Sequence, residues 1–233
     1  MINQLRIENT KWVRSVLFWC FVVLMAVCGV SFGMKMAIQY KTTDIMHPFY
    51  DSLPDVSLFF SHALFTAWFI GYDFSSRTIH HEISSGASRL SVLITRALPA
   101  IAASVIIHLA QVSSTVLGLG AYIGLDGWNL SSDKFAWIGT TTIQFIALEC
   151  FFIMISFICC NLYVGLIASV ISEIGLCNIA RNICGEQTWY KYSFFHLVED
   201  SNSTELGTYA IVAVVSIVVI SVITYLAFRR REI

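Results

Sequence analysis

The chain has 233 residues, of which 57% are hydrophobic and only 12% are charged, and its mean hydropathy is +0.72. A soluble domain of this size carries about twice that charged fraction, so the composition excludes an ordinary soluble protein and predicts a helical membrane protein. The formal net charge is −1 and the sequence has no long run of like charges, which argues against nucleic acid as a partner.

Long apolar runs define the predicted elements. A helix needs about 20 apolar residues to cross the hydrocarbon layer of a membrane. We therefore predict an all-α fold in a single transmembrane domain over 1–233. Its six transmembrane helices are expected at about 12–33, 55–72, 91–123, 135–159, 162–180 and 208–228.

The stretch 72–89, between the second and third spans, is polar and carries both charge signs. Ser75 or Ser76 is expected to cap a short helix, because a serine hydroxyl accepts from the free N–H groups of a first turn. Gly86 is expected to end that helix in the left-handed conformation, and Ser88 is expected to cap the helix that follows.

Ile79 and Ile83 lie four residues apart and therefore share one face of this short helix. The pattern predicts an amphipathic helix at the membrane surface, which is the form of a docking element. An ordinary loop with scattered charges is the alternative. If the helix forms, the two isoleucines either pack under the spans or enter a groove of a partner.

The distribution of basic residues predicts the orientation. Six spans place both termini and the stretch 72–89 on one side, and that side carries nine Lys and Arg residues against five on the other. The excess marks the cytoplasmic side. The first set is Arg6, Lys11, Arg14, Arg77, Arg89, Arg96, Arg229, Arg230 and Arg231, and the second is Lys35, Lys41, Lys134, Arg181 and Lys191.

The outer loop at 181–207 is rich in aromatic residues, including Trp189, Tyr190, Tyr192 and Phe194. Because Tyr and Trp prefer the headgroup layer, this loop is expected to hold re-entrant helices before the sixth span. A plain aromatic belt at the membrane surface is the alternative.

Several polar side chains fall inside the predicted spans. They form either a proton relay or polar path, or interhelical hydrogen bonds in the bundle interior, and we favour the second interpretation. These residues are His62, His108, Gln111, Gln144, Glu149 and Glu173.

The sequence contains no phosphate-binding loop, no zinc-protease helix motif and no G-x-S-x-G serine motif. Cysteine and histidine do not occur at zinc-binding spacing. We therefore predict no catalytic residue and no metal ligand on this chain, which is not expected to be an enzyme.

The stretch 72–89 resembles the membrane subunits of type-2 ATP-binding-cassette exporters. In that family an acidic residue follows the second span, as Asp73 does here, and precedes a Thr-Ile-containing helix that matches 77–79. A G-x-S-R-like turn then matches 86–89. This chain departs from the family in His80, where a basic residue is usual, and in Arg96, where the family often has lysine.

The resemblance implies that the short helix is a coupling helix, which sits in a groove of a separate ATPase subunit. Asp73, Glu82 and Arg89 would contact the ATPase or fix the angle of the helix, and Gly86 would permit the turn. The full set of ATPase-coupling residues implied is Asp73, Arg77, Ile79, Glu82, Ile83, Gly86 and Arg89.

The resemblance also implies the assembly and the substrate class. Two permease copies, identical or different, would form the path between them in a bacterial cell membrane. ATP and magnesium would bind the ATPase partner, so this chain would hold no cofactor. The substrate would be an amphipathic peptide, an antibiotic or another hydrophobic compound.

Two alternatives from other functional classes stay open. One is a membrane redox or proton-relay subunit that uses the intramembrane His and Glu residues. The other is a membrane sensor or scaffold that binds a partner through 72–89 but transports nothing.

Overall fold

The computed structural model describes residues 2–40, 57–124, 132–184, 190, 193 and 205–231. Every regular element in these ranges is helical, as the sequence predicts. The re-entrant helices and most of the aromatic cluster predicted for the outer loop fall on residues outside the described part.

The amino-terminal segment forms two helices rather than one. Helix α1 spans Ile2–Val13 and helix α2 spans Val16–Tyr40, so the predicted single run at 12–33 is wrong at its start. The hydroxyl of Ser15 accepts from the N–H of Phe18 at 3.4 Å, which is the geometry of a helix N-cap. The chain therefore breaks where the charged residues of α1 give way to the apolar sequence of α2.

The polar stretch does form a short helix. Helix α3 spans Ser57–Ser75, helix α4 spans Thr78–Ser84 and helix α5 spans Arg89–Ile123. Two predicted boundaries are confirmed: Gly86 has φ 97°, and the Ser88 hydroxyl accepts from the N–H of Ser91 at 3.2 Å.

The predicted cap of α4 is wrong. Arg77, in the left-handed conformation with φ 59°, precedes the helix and makes no side-chain cap. Ser76 shares a hydrogen bond with the hydroxyl of Thr78 at 2.9 Å, and Ser75 instead accepts from the N–H of Leu162 at 3.1 Å. A partner from a distant part of the chain has replaced the local cap.

The carboxy-terminal half begins with helix α6, Ser132–Cys159, and helix α7, Leu162–Ser172. Asn161 caps α7 by accepting from the N–H groups of Tyr163 and Val164 at 2.9 and 3.2 Å. A π-helical segment at Glu173–Ile179 and helix α8 at Ala180–Cys184 follow, so the predicted fifth span at 162–180 is not a regular helix. Helix α9 spans Leu206–Arg229.

Four described helices are long and apolar enough to cross a membrane: α2, α5, α6 and α9. The chain is therefore a multi-span membrane protein. The other two predicted spans correspond to α3 and to α7 with its π-helical continuation. Six crossings stay a prediction.

Both described ends of the chain lie at the same end of the bundle. Lys11 of α1 pairs with Asp73 at the end of α3, and Arg89 at the start of α5 donates to the carbonyl of Phe228 in α9 at 2.7 Å. The hydrogen bond from the N–H of Leu162 to the hydroxyl of Ser75 places the start of α7 at this end as well. Helix α4 lies at this end, which the basic residues predict to be cytoplasmic.

Candidate functional site

A buried cluster of charges joins α4 to the rest of the bundle. Arg96 of α5 is 0% exposed, and its guanidinium faces three carboxylates from three other helices. Its Nε lies 2.6 Å from Oδ2 of Asp73, its Nη2 lies 2.6 Å from Oε1 of Glu82, and its Nη1 lies 3.2 Å from Oε1 of Glu8. Helices α1, α3, α4 and α5 therefore meet at one guanidinium.

Lys11 completes this group, which we call the Arg96 cluster: Arg96, Lys11, Glu8, Asp73 and Glu82. The Lys11 ammonium pairs with Asp73 and lies 3.6 Å from Oε2 of Glu8. Three carboxylates thus face two cations. Such a group is stable only while its charges are paired, because burying an unpaired charge costs several kcal/mol, on the order of 3–5.

Glu8 is buried in the cluster, and this burial disfavours its ionised form. Burial raises the pKa of Glu8 above its ordinary value of 4.5, although Arg96 and Lys11 act to lower it. The folded protein therefore holds the Glu8 proton more tightly than the unfolded chain does.

This raised pKa predicts a pH dependence that one substitution removes. The contribution of Glu8 to the free energy of unfolding is full below pH 4.5. It is lost as the pH rises through the raised pKa that Glu8 has in the folded protein. Thermal unfolding in detergent between roughly pH 4 and 8 should show this decline in the wild type and a smaller decline in Glu8→Gln. Parallel curves for the two proteins would contradict the assignment.

The inner face of α4 is apolar and packed. Ile79 is 0% exposed and belongs to one apolar core with Phe74, Phe157 and Phe228. Ile83 is half-buried against the same core. The two isoleucines therefore pack under the spans, which resolves the choice that the sequence leaves open.

The outer face of α4 is polar and open. Its exposed side chains are Arg77, His80, His81, Ser84 and Ser85. The two serines donate to carbonyls within the helix, Ser84 to His81 at 3.0 Å and Ser85 to Glu82 at 2.8 Å. Arg77 and the two histidines are the basic side chains of this exposed face.

Arg89 holds a separate position. Its Nη1 donates to the carbonyls of Phe228 and Arg231, and its guanidinium lies 5.8 Å from the centre of the Phe228 ring. Arg89 thus ties the start of α5 to the end of α9.

The structure brings buried Asp73 and half-buried Glu82 together as partners of Arg96 and places Gly86 in the turn after α4. It does not bring Arg89 into that cluster. Sequence reasoning missed Glu8 and Lys11, which lie one helical turn apart on α1. Opposite charges spaced i,i+3 are typical of a helix and could have indicated α1. The prediction overlooked this helix because it started the first span at residue 12, inside α1.

A second group of buried polar side chains lies inside the bundle. The imidazoles of His62 in α3 and His108 in α5 have ring centres 6.4 Å apart. The ring of Phe145 in α6 lies 4.4 Å from each of them. Further along α3 and α6, the hydroxyl of Thr66 donates to Oε1 of Glu149. Helices α3, α5 and α6 therefore share a polar interior.

The remaining predicted polar residues are also buried. Gln111 and Gln144 lie on α5 and α6, and Glu173 begins the π-helical segment. Among the described residues, no group of three or more His, Cys, Asp or Glu side chains has an arrangement that could hold a metal ion.

No protein-family model, curated protein or solved structure matches the chain.

Proposed function

We propose that the chain is the permease subunit of an ATP-driven exporter and that α4 is its coupling helix. The observation that carries the proposal is the Arg96 cluster. It fixes the inner face of α4 to three other helices while the outer face stays open. A helix that only connected two spans would not need an ion pair with a buried guanidinium to hold its angle.

The cluster offers a mechanical route from a partner to the membrane. A force on the outer face of α4 reaches Glu82, and through Arg96 it acts on α5, on α3 at Asp73 and on α1 at Glu8. Four helix ends would then move together, as a rigid body does, rather than one loop bending alone. ATP-driven closure of the partner would bias the helices between inward-closed and outward-open arrangements.

The proposed assembly is a dimer of permease chains with two ATPase subunits beneath it. Helices α2 and α9 each present large exposed apolar side chains along one face, where a second copy could pack. Lipid or a second copy would cover these faces. The substrate, by analogy with the resembling family, is an amphipathic peptide, an antibiotic or another hydrophobic compound, and the location is a bacterial cell membrane.

Purification of the tagged chain from its native membrane tests the proposal. A stoichiometric ATPase with a phosphate-binding loop should co-purify with the wild type and should be lost from His80→Glu/His81→Glu, which changes only the exposed face of α4. The matched control places two acids on exposed positions of α1, Arg6→Glu/Thr10→Glu, and should keep the ATPase. Loss from both variants, or from neither, would contradict docking through α4.

Glu82→Gln tests the coupling itself. The variant should keep the ATPase bound, because Glu82 faces Arg96 rather than the partner. The stimulation of ATP hydrolysis by the permease should fall about 5–150-fold, the usual range for loss of a coupling free energy. Full stimulation with a normally folded variant would show that force does not pass through this ion pair.

The interior group at His62, His108 and Glu149 favours a second candidate, a proton-relay subunit. The two candidates differ in what they require. A relay would fail in His108→Gln and Glu149→Gln whether or not an ATPase is bound, and it would have no need of the exposed face of α4. A sensor or scaffold would need that face but would show no dependence on ATP.

A further inference from the structure

An apolar groove lies between α5, α6 and α9, away from both sites described above. Its volume is about 520 Å³. The walls include Leu93, Ile94 and Leu98 from α5, Cys150 from α6, and Val222 and Tyr225 from α9. The groove begins near the first turn of α5 and therefore lies in the half of the bundle that holds α4.

The groove opens sideways rather than into water. Leu98 and Val222, on opposite walls, are 52% and 51% exposed. In a multi-span protein, such half-exposed apolar side chains at the depth of a span face the acyl chains of the membrane. The opening is therefore shaped for something that comes from the lipid phase.

Two arginines lie at the cytoplasmic end of this opening. Arg229 lies four residues beyond Tyr225 and seven beyond Val222 on α9, so helix periodicity places it on the face that lines the groove. Arg230 follows it, and both are exposed. Within the described part of the chain, no carboxylate pairs with either guanidinium. Arg89 is also near, but its Nη1 is already held by two carbonyls.

We infer that this groove binds an anionic phospholipid of the cytoplasmic leaflet, with one acyl chain between α5 and α9 and the phosphate on Arg229 and Arg230. An apolar slot that ends at two exposed arginines complements this ligand at both ends. A zwitterionic lipid such as phosphatidylcholine carries the same phosphate, but its trimethylammonium group offsets the negative charge that the two guanidinium groups attract. A second copy related by a two-fold axis along the membrane normal would bring like charges together at this position. The inference does not depend on the proposed export function.

Native mass spectrometry of the purified full-length chain tests the site. The protein is titrated with phosphatidylglycerol and, separately, with phosphatidylcholine of identical acyl chains. Wild type should bind phosphatidylglycerol more tightly, and Arg229→Gln should weaken that binding about fivefold, the effect expected for one basic residue near an anionic headgroup. Arg229→Gln/Arg230→Gln should reduce it to the level of phosphatidylcholine, whereas the control Arg14→Gln should not.

Filling the groove tests the acyl-chain half of the inference. Val222→Trp should weaken the binding of both lipids, because the indole would occupy the opening. The control is Val219→Trp, a position on the same helix that is 49% exposed and does not line the groove. Both substitutions replace partly exposed side chains, so neither depends on repacking of the core.

Three results would overturn the inference. Equal affinity of the wild type for the two lipids would mean that the two arginines do not form a site for an anionic headgroup. Equal behaviour of Val222→Trp and Val219→Trp would place the lipid elsewhere. A dimer that retains no lipid and dissociates on Val222→Trp would assign the groove to a second copy.

Discussion

Replacement of Arg96 by glutamine should lower the free energy of unfolding by about 3–5 kcal/mol, the cost of leaving buried charges without their partner. The substitution removes the one cation that faces Glu8, Asp73 and Glu82 together. Lys11 would remain, but its contacts reach only two of the three carboxylates. For a chain of this size the loss corresponds to a fall in Tm of about 6–20 °C.

The control for this experiment is Arg14→Gln, which removes an exposed guanidinium at the same end of the bundle and should change the free energy by less than about 0.5 kcal/mol. A double substitution then tests the cause. Glu8→Gln should stabilise the Arg96→Gln protein, because it removes one of the carboxylates left unpaired. If Glu8→Gln destabilised both backgrounds equally, the cluster would not be acting as an electrostatic unit.

Replacement of Gly118 by alanine should lower the free energy of unfolding by about 1–3 kcal/mol, as overpacking of a tight contact does. Gly118 lies on α5 against the backbone of α2, and an added Cβ would clash with the carbonyl oxygen of Val30 and lie 3.0 Å from its Cα. A Cβ atom does not fit so close to a backbone oxygen, so α2 would have to move away from α5. The expected effect is large because these two helices share the most extensive contact in the described bundle.

Gly139 provides the matched control, because it also lies within a long helix but an added Cβ would have no neighbour within 4 Å. Gly139→Ala should be neutral or stabilising by about 0.5–1 kcal/mol, since alanine favours the helix over the unfolded chain. Thermal unfolding of both variants in the same detergent separates the two effects. Equal changes would mean that the close approach at Gly118 does not limit the packing of α2.

The parts of the fold that local rules govern could be predicted from the sequence. Apolar runs predict the long helices, Gly86 predicts the turn that follows α4, and Ser88 predicts the cap of α5. The amphipathic pattern of Ile79 and Ile83 gave the existence of α4, although it could not say which way the isoleucines face. These features depend on neighbours within a few residues, which the sequence displays directly.

Features that depend on distant partners could not be predicted. Ser75 follows the local rule for a cap, but its hydroxyl is taken by Leu162, 87 residues away. Arg96 looks like an ordinary basic residue at the start of a span, and its burial becomes clear only when α1 is seen to fold back over it. The break at Glu173 was missed because a π-helical segment has no distinct pattern of hydrophobicity.

The chain order of the Arg96 cluster has a consequence for biosynthesis. Glu8 and Lys11 are made first, Asp73 and Glu82 follow, and Arg96 is the last of the five. Until α5 has been translated, the amino-terminal helix has no buried guanidinium to hold it, and its charged side chains must stay hydrated at the membrane surface. The cluster can close only then, so α1 cannot complete its contacts until α5, which follows it in the chain, is in place.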